Sequence, residues 1–398
     1  MRIGTLVIFM LCSLGGPLTF ADEQKIPAPF RGDDENAKLE VSYDDLNAFL
    51  QAQVLDVGRS TREKAPRPQN TGSRIKVRIN RLTALEGNRF NFESLRDEEV
   101  ANILTVLQDS LEALPSEVPL HYLNRNEQLA YWLNLYNFTL LDEMAKASPS
   151  GSIKRLLDYG DSDSILAQKT LNVAGVPLSL DDIQFTILKE KYPRNPLVIY
   201  GLFQGNIGGP SIQPKAFSGK NVWRQLEDAA TEFVNSNRGT YYDGKVSVFY
   251  ERNLVFFDND VAELKDHLLD YLEDEMYTEI RDAEALEFGN QDWQLANLTG
   301  GTREYGGSSM INGSAILDAV RSTQPTSSGD GGMALSNIEN PFGESLTEKA
   351  RLGTRFPATQ LEILQRIKKI QAINAGKVDI TDLDADAVQE EMDKKENN

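Results

Sequence analysis

The chain has 398 residues, with 60 acidic against 41 basic side chains and a formal net charge of −19. That balance disfavours nucleic acid and anionic membrane surfaces as partners. One cysteine and two histidines leave too few soft ligands for a zinc site, and no metal or cofactor is expected.

Met1-Arg2 carries one positive charge, and an apolar run follows from Thr5 to Leu14. Gly15-Gly16-Pro17 breaks it, and Thr19-Phe20-Ala21 sets small residues where a signal peptidase cuts. The run is about 10 residues, short of the ~20 that span a bilayer. Cys12 lacks the small preceding residue of a lipoprotein signal. Cleavage after Ala21 therefore removes the only cysteine together with Arg2, leaving a charge of −20. Roughly 375 residues remain, held by a core and not by disulfides. No later segment is apolar enough to span a membrane.

Residues 22–36 are polar and proline-containing and read as a flexible lead-in. Leu46, Phe49, Leu50 and Val54 have helical spacing within Val41–Leu55. Residues 59–73 read as a loop, and Arg74–Asn80 alternates basic and apolar residues like a half-buried strand. Asp97–Leu114 predicts a helix ending before Pro115. Asn124–Ala147 predicts a helix apolar on more than one face, hence centrally buried. Leu171–Ser179 predicts a hairpin turning at Ala174-Gly175. A helix opens at Leu180-Asp181-Asp182 with an acidic cap and runs through Leu188. Leu197–Phe203 reads as a buried strand entering a tight loop, Gln204–Pro210. Val222–Val234 and Val261–Leu272 read as helices, Lys245–Tyr250 and Leu254–Phe257 as strands. Beyond Leu298, residues 299–340 form a Gly/Ser-rich connector. Residues 341–398 hold an amphipathic helix from Ala358 to Ile373 and an acidic tail. Two calcium-loop frames near the C-terminus fail: one places Ile373 and Ala375 at ligand positions, and the other lacks its glycine at Ala387.

Three stretches carry a resemblance. They are Asn126-Glu-Gln-Leu-Ala-Tyr-Trp-Leu-Asn-Leu-Tyr-Asn137, Ser179-Leu-Asp-Asp-Ile-Gln-Phe-Thr-Ile-Leu188 and Asn195–Pro210. Together with the helix after Phe217 they resemble the family known as domain of unknown function 547, over roughly residues 40–290. Many members of that family carry Glu-His in the second stretch and two cysteines in the third. Such a pair would allow thiolate chemistry. Here those positions are Gln184, Phe185, Gln204 and Gly209, so the resemblance implies a retained framework with a degenerate active site.

Other chemistry is weaker. Asn134 and Asn137 share one helix face and either hold a ligand or pin the Gly-rich loop. Gly205–Pro210 either offers backbone N–H groups to an anion or packs as a tight turn. Asp181 and Asp182 are either paired carboxylates or a helix cap and its neighbour.

The expected fold is α+β: one large, mainly helical domain over residues 37–298 with a small sheet, then the connector and C-terminal helix. The expected role is a periplasmic or extracellular, non-catalytic binding or scaffold module with a protein or small-molecule partner. Its candidate binding surface comprises Asn134, Asn137, Gln184, Gln204, Asn206, Gly208 and Gly209, with no catalytic residue assigned. The alternative is a hydrolase or transferase using carboxylate or serine chemistry. A third reading has the Ala358–Ile373 helix dock a partner, so that deleting residues 340–398 leaves the fold intact. N-terminal sequencing of the exported protein is expected to begin at Asp22; a start at Met1 refutes the cleavable leader.

Overall fold

The computed structural model describes residues 25–65, 80–289, 291–298, 355–356 and 360–374. The leader, the Arg74 stretch, the Gly/Ser-rich connector and the acidic tail lie outside the described residues.

A 3-10 turn at Ala28–Phe30 precedes α1 (Asp44–Gln53), and β1 (Val54–Leu55) pairs antiparallel with β2 (Arg89–Phe90). α2 (Glu98–Glu117) and α3 (Arg125–Ala147) follow, then the short α4 (Lys154–Leu157). β3 (Leu171–Val173) and β4 (Val176–Leu178) form the expected hairpin, with Ala174 and Gly175 at φ 47° and 81°. Both turn residues occupy the left-handed region that a two-residue hairpin turn requires. A π-helical stretch, Asp182–Leu188, runs into α5 (Lys189–Lys191). α6 (Val222–Val234) leads to β5 (Thr240–Tyr241) and β6 (Lys245–Val246), then α7 (Val248–Arg252), α8 (Val261–Tyr271) and α9 (Asp274–Asp282). β7 (Glu287–Phe288) joins β6 in parallel, and α10 (Leu361–Asn374) closes the described chain. The fold is α+β, mostly helical, with two- and three-stranded sheets.

α3 is the axis. Every residue from Glu127 to Asp142 is buried, as is Met144. Asn124 caps it, its Oδ1 accepting from Asn126 N (3.0 Å) and Glu127 N (2.9 Å). One apolar cluster surrounds α3 and draws on α1, α2, the hairpin and α10. A second lies between α6, α7, α8 and α9. Among the described residues no helix is long and apolar enough to cross a membrane.

Several expectations are corrected. α2 continues through Pro115 to Glu117, because a proline in the last turn forfeits a single backbone bond. Leu197–Phe203 is buried but not a strand: Pro196–Gly201 forms a 3-10 helix with Pro at its start. Gly201 is wedged where α3 crosses α6, since a Cβ there would sit 2.8 Å from Leu226 Cδ2 and 2.9 Å from Leu133 Cδ2. The strand at Lys245 stops at Val246, because the Ser247 side chain accepts from Phe249 N and caps α7. Leu254–Phe257 is likewise a 3-10 turn. The lead-in is not loose from Ile26 onward: Ile26 and Phe30 are buried in the main cluster, with Phe30 edge-on to Trp132 at 5.0 Å.

The C-terminal helix is part of the core. Leu364 and Ile367 are buried in the main cluster beside Phe356, while Ile370 is exposed. Ahead of them the fully buried Arg355 grips Asp45, with Nη2–Oδ2 at 2.7 Å and Nη1–Oδ1 at 3.1 Å. Its Nε donates to Ser110 Oγ at 2.9 Å. Bidentate geometry suits a buried pair, and a deletion of residues 340–398 would leave the Asp45 carboxylate buried without its partner. That outcome opposes the docking-helix reading, in which the deletion abolishes association but leaves the fold intact. Asp45→Ala is expected to destabilise by about 3–5 kcal/mol in chemical denaturation. The double variant Asp45→Ala/Arg355→Met should lose less than Asp45→Ala alone.

Candidate functional site

The seven residues expected at a binding surface are all buried. Asn134 Nδ2 donates to Phe217 O (2.8 Å) while its Oδ1 accepts from Phe217 N (2.9 Å). Asn137 does the same one turn on, with Nδ2 to Gly201 O and Phe203 N to Oδ1, both 2.9 Å. Asn137 therefore pins the approach to the Gly-rich loop, whereas Asn134 pins the segment before α6. Gln204 Oε1 accepts from the Tyr159 hydroxyl, and Gln184 Nε2 donates to Asn253 Oδ1. Among the described residues Gln184 Oε1, Gln204 Nε2 and Asn206 Oδ1 have no hydrogen-bond partner.

Two central amides of the loop are spent inside the protein and are not free for an anion. Ile207 N donates to Gln294 O and Gly208 N to Asp292 O, each at 2.8 Å, and Asn206 Nδ2 donates to Asp292 O at 3.1 Å. The fully buried Arg238 holds Gly209 O through Nη1 at 2.8 Å and pairs with Glu232 through Nη2. The loop is thus stitched face-on to residues 292–296.

Above this closed junction Arg252 is held between two rings. Its guanidinium lies 4.4 Å from the Tyr159 centroid and 5.1 Å from that of Phe185, the position where the resemblance expects His. It also pairs with Asp181 Oδ1 at 2.5 Å. Burial raises the Asp181 carboxyl against the pull of Arg252. Burial would raise Asp182 too, but Lys169 and Ser179 hold it below its ordinary range. Asp182 Oδ2 accepts from Ser179 N and Oγ, both at 2.7 Å, while Ser179 Oγ accepts from Asp182 N at 3.1 Å. That reciprocal box makes Ser179 the cap and Asp182 its partner. Both acids are committed to structure.

His267 is pushed down to about 4 by burial, with its Nε2 2.9 Å from the Tyr200 hydroxyl. It is a neutral core imidazole; His121 is exposed. Among the described residues no group of three His, Cys, Asp or Glu is placed to hold a metal.

The open space lies elsewhere. A cavity of about 550 Å³ sits at the head of α3, lined among others by Glu35, Glu40, Arg125, Glu127, Gly219 and Lys220. Glu127 is 4% exposed, and burial raises its carboxyl from the usual 4.5 to about 7. A hydrogen bond from Val41 N opposes the rise and Glu40 adds to it. Sequence reasoning passed over Glu127, although it is the second letter of the signature run. The available signal was an acid at the point where an all-round buried helix begins.

Residues 120–234 match the family model described as Protein of unknown function, DUF547. The chain therefore carries a DUF547 domain, from the turn before α3 to the end of α6. No curated protein and no solved structure matches the chain.

Packing separates the two glycines of the loop. A Cβ on Gly208 would meet the Asp292 backbone N at 2.4 Å, whereas one on Gly209 would meet the tip of the Asn206 side chain at 2.9 Å. Gly208→Ala is expected to lower stability by about 1–3 kcal/mol and Gly209→Ala by clearly less, measured by thermal unfolding of both variants.

Proposed function

We propose that this DUF547-bearing chain works outside the cytoplasm as a non-catalytic binding or scaffold module. The observation that supports it most is the fate of the four positions where the resemblance places ionisable or nucleophilic groups. Gln184 and Gln204 are fully buried amides, Gly209 packs under Asn206, and Phe185 faces the Arg252 guanidinium. Cys/His chemistry needs a thiolate beside an imidazole, and these four side chains supply neither. Export rests on the leader read from the sequence.

The rival, a hydrolase or transferase on carboxylate or serine chemistry, draws support from Glu127. A carboxyl poised near neutrality is suited to proton transfer. Among the described residues no serine lines that cavity, so the reading lacks a nucleophile of its own.

The mature chain, tagged and crosslinked in its own host, should recover a reproducible partner from the extracytoplasmic fraction. A chain with no partner above background, or one that turns over ester, peptide or glycoside probes in a way abolished by Glu127→Gln, overturns the binding-module reading.

A further inference from the structure

We propose that the cavity at the head of α3 is a binding site for a small organic cation, whose ammonium group seats on the Glu127 carboxylate. The inference goes beyond the module reading and stands or falls on its own test.

The starting point is an acid that folding leaves short of partners. Glu127 is buried, yet among the described residues its side chain has one hydrogen bond, a long one from Val41 N to Oε2 at 3.3 Å. The first-turn amides beside it, Asn126 N and Glu127 N, are already taken by Asn124 Oδ1. Among the described residues no Lys or Arg forms an ion pair with Glu127, Glu35 or Glu40. Arg125, the nearest cation in sequence, is committed elsewhere. It donates to Lys191 O and lies over the Tyr192 ring at 5.1 Å. A buried carboxylate without a counter-charge is costly, and an uncompensated one on the floor of an open cavity is a functional-site signal.

The chemistry of the lining selects the ligand. The lining carries Glu35, Glu40 and Glu127 beside Arg125 and Lys220, and the acid it leaves short of partners is the buried Glu127, so the complementary group there is a cation. A metal is disfavoured, because among the described residues no group of three His, Cys, Asp or Glu is placed to hold one. An ammonium needs only hydrogen-bond acceptors in loose geometry; Glu127 Oε1 supplies one, and Glu35 and Glu40 add negative charge to the lining. The helix N-terminus favours the ionised form of Glu127 once a cation offsets its burial. The backbone at Gly219 presses against the same carboxyl: a Cβ there would lie 2.2 Å from Oε1. Any side chain at 219 would push the carboxyl aside.

Binding is then linked to protons. The titratable and charged groups facing Glu127 are Glu35, Glu40 and Tyr43 from the segment before and at the start of α1, Arg125 on its own helix, and Lys220 beside Gly219. Glu127 must be ionised to hold the cation, and in the free protein it takes up a proton at about 7. Affinity should therefore fall as pH drops through 7, approaching about tenfold per pH unit.

The test is calorimetric titration of the full mature chain with 1,5-diaminopentane and with 6-aminohexanoate, using 1-pentanol as neutral control, at pH 5.5 and pH 8. Both amines stay protonated over this range, so any pH dependence belongs to the protein. Saturable binding of either amine, tighter at pH 8, is expected. It should be lost at least tenfold in Glu127→Gln and in Gly219→Ala, with circular dichroism confirming that both variants are folded. Lys220→Ala should leave diamine binding in place and weaken 6-aminohexanoate if the ligand's far end is anionic. The proposal is overturned if neither amine binds. It is equally overturned if folded Glu127→Gln binds as wild type, or if affinity is the same at both pH values.

Discussion

The structure depends on one constraint: α3 is buried on all its faces from Glu127 to Asp142, so the polar side chains it carries are placed to meet partners inside the protein. Gln128 Nε2 reaches the carbonyls of Gly32, Leu120 and Leu123. Asn134 and Asn137 bracket the backbone at Phe217 and at Gly201–Phe203. Asp142 takes the Thr105 hydroxyl at 2.7 Å and pairs with Lys146 at 2.8 Å. An unmet polar group at such depth costs ~1–3 kcal/mol, so these contacts fix where the flanking segments lie. Gln128, Asn134 and Asn137 of the signature run bracket backbone, and Glu127, at the head of α3, is its buried acid with no ion pair among the described residues.

The matched domain ends with α6, yet its packing does not. α1 and α2, which precede residue 120, and Leu364 and Ile367, far beyond residue 234, share one cluster with α3. The Gly-rich loop, inside the match, is sewn to Asp292 and Gln294 outside it. The matched segment and the described residues that pack on α3 from outside it therefore share one core.

Local chemistry was readable from sequence; distant chemistry was not. The hairpin at Ala174-Gly175 and helices α1, α3, α6 and α8 follow from turn residues and 3.6-residue periodicity, which act over a few residues. The apolar runs at Leu197 and Leu254 were misread as strands, because a short buried run has no periodicity to separate a strand from a helical turn. Pro196 and the squeeze on Gly201 decided the first of them. The Gly-rich loop was recognisable as tight, but its closure depends on residues some eighty positions away. Glu127 was visible as a letter and invisible as a buried acid, since an acid in a first turn ordinarily just complements the helix dipole. Arg355 and Asp45 are 310 positions apart, and nothing near either one announces the other.

That last separation bears on how the protein is made. A ribosome delivers the chain from the N-terminus, and domains commonly fold as their residues emerge. Here Asp45 is synthesised early and its counter-ion arrives only near the end. An incomplete chain that closed α1 onto α3 would bury the Asp45 carboxyl without its partner. A chain stopped short of Arg355 would therefore close α1 only at the cost of that unpaired carboxyl.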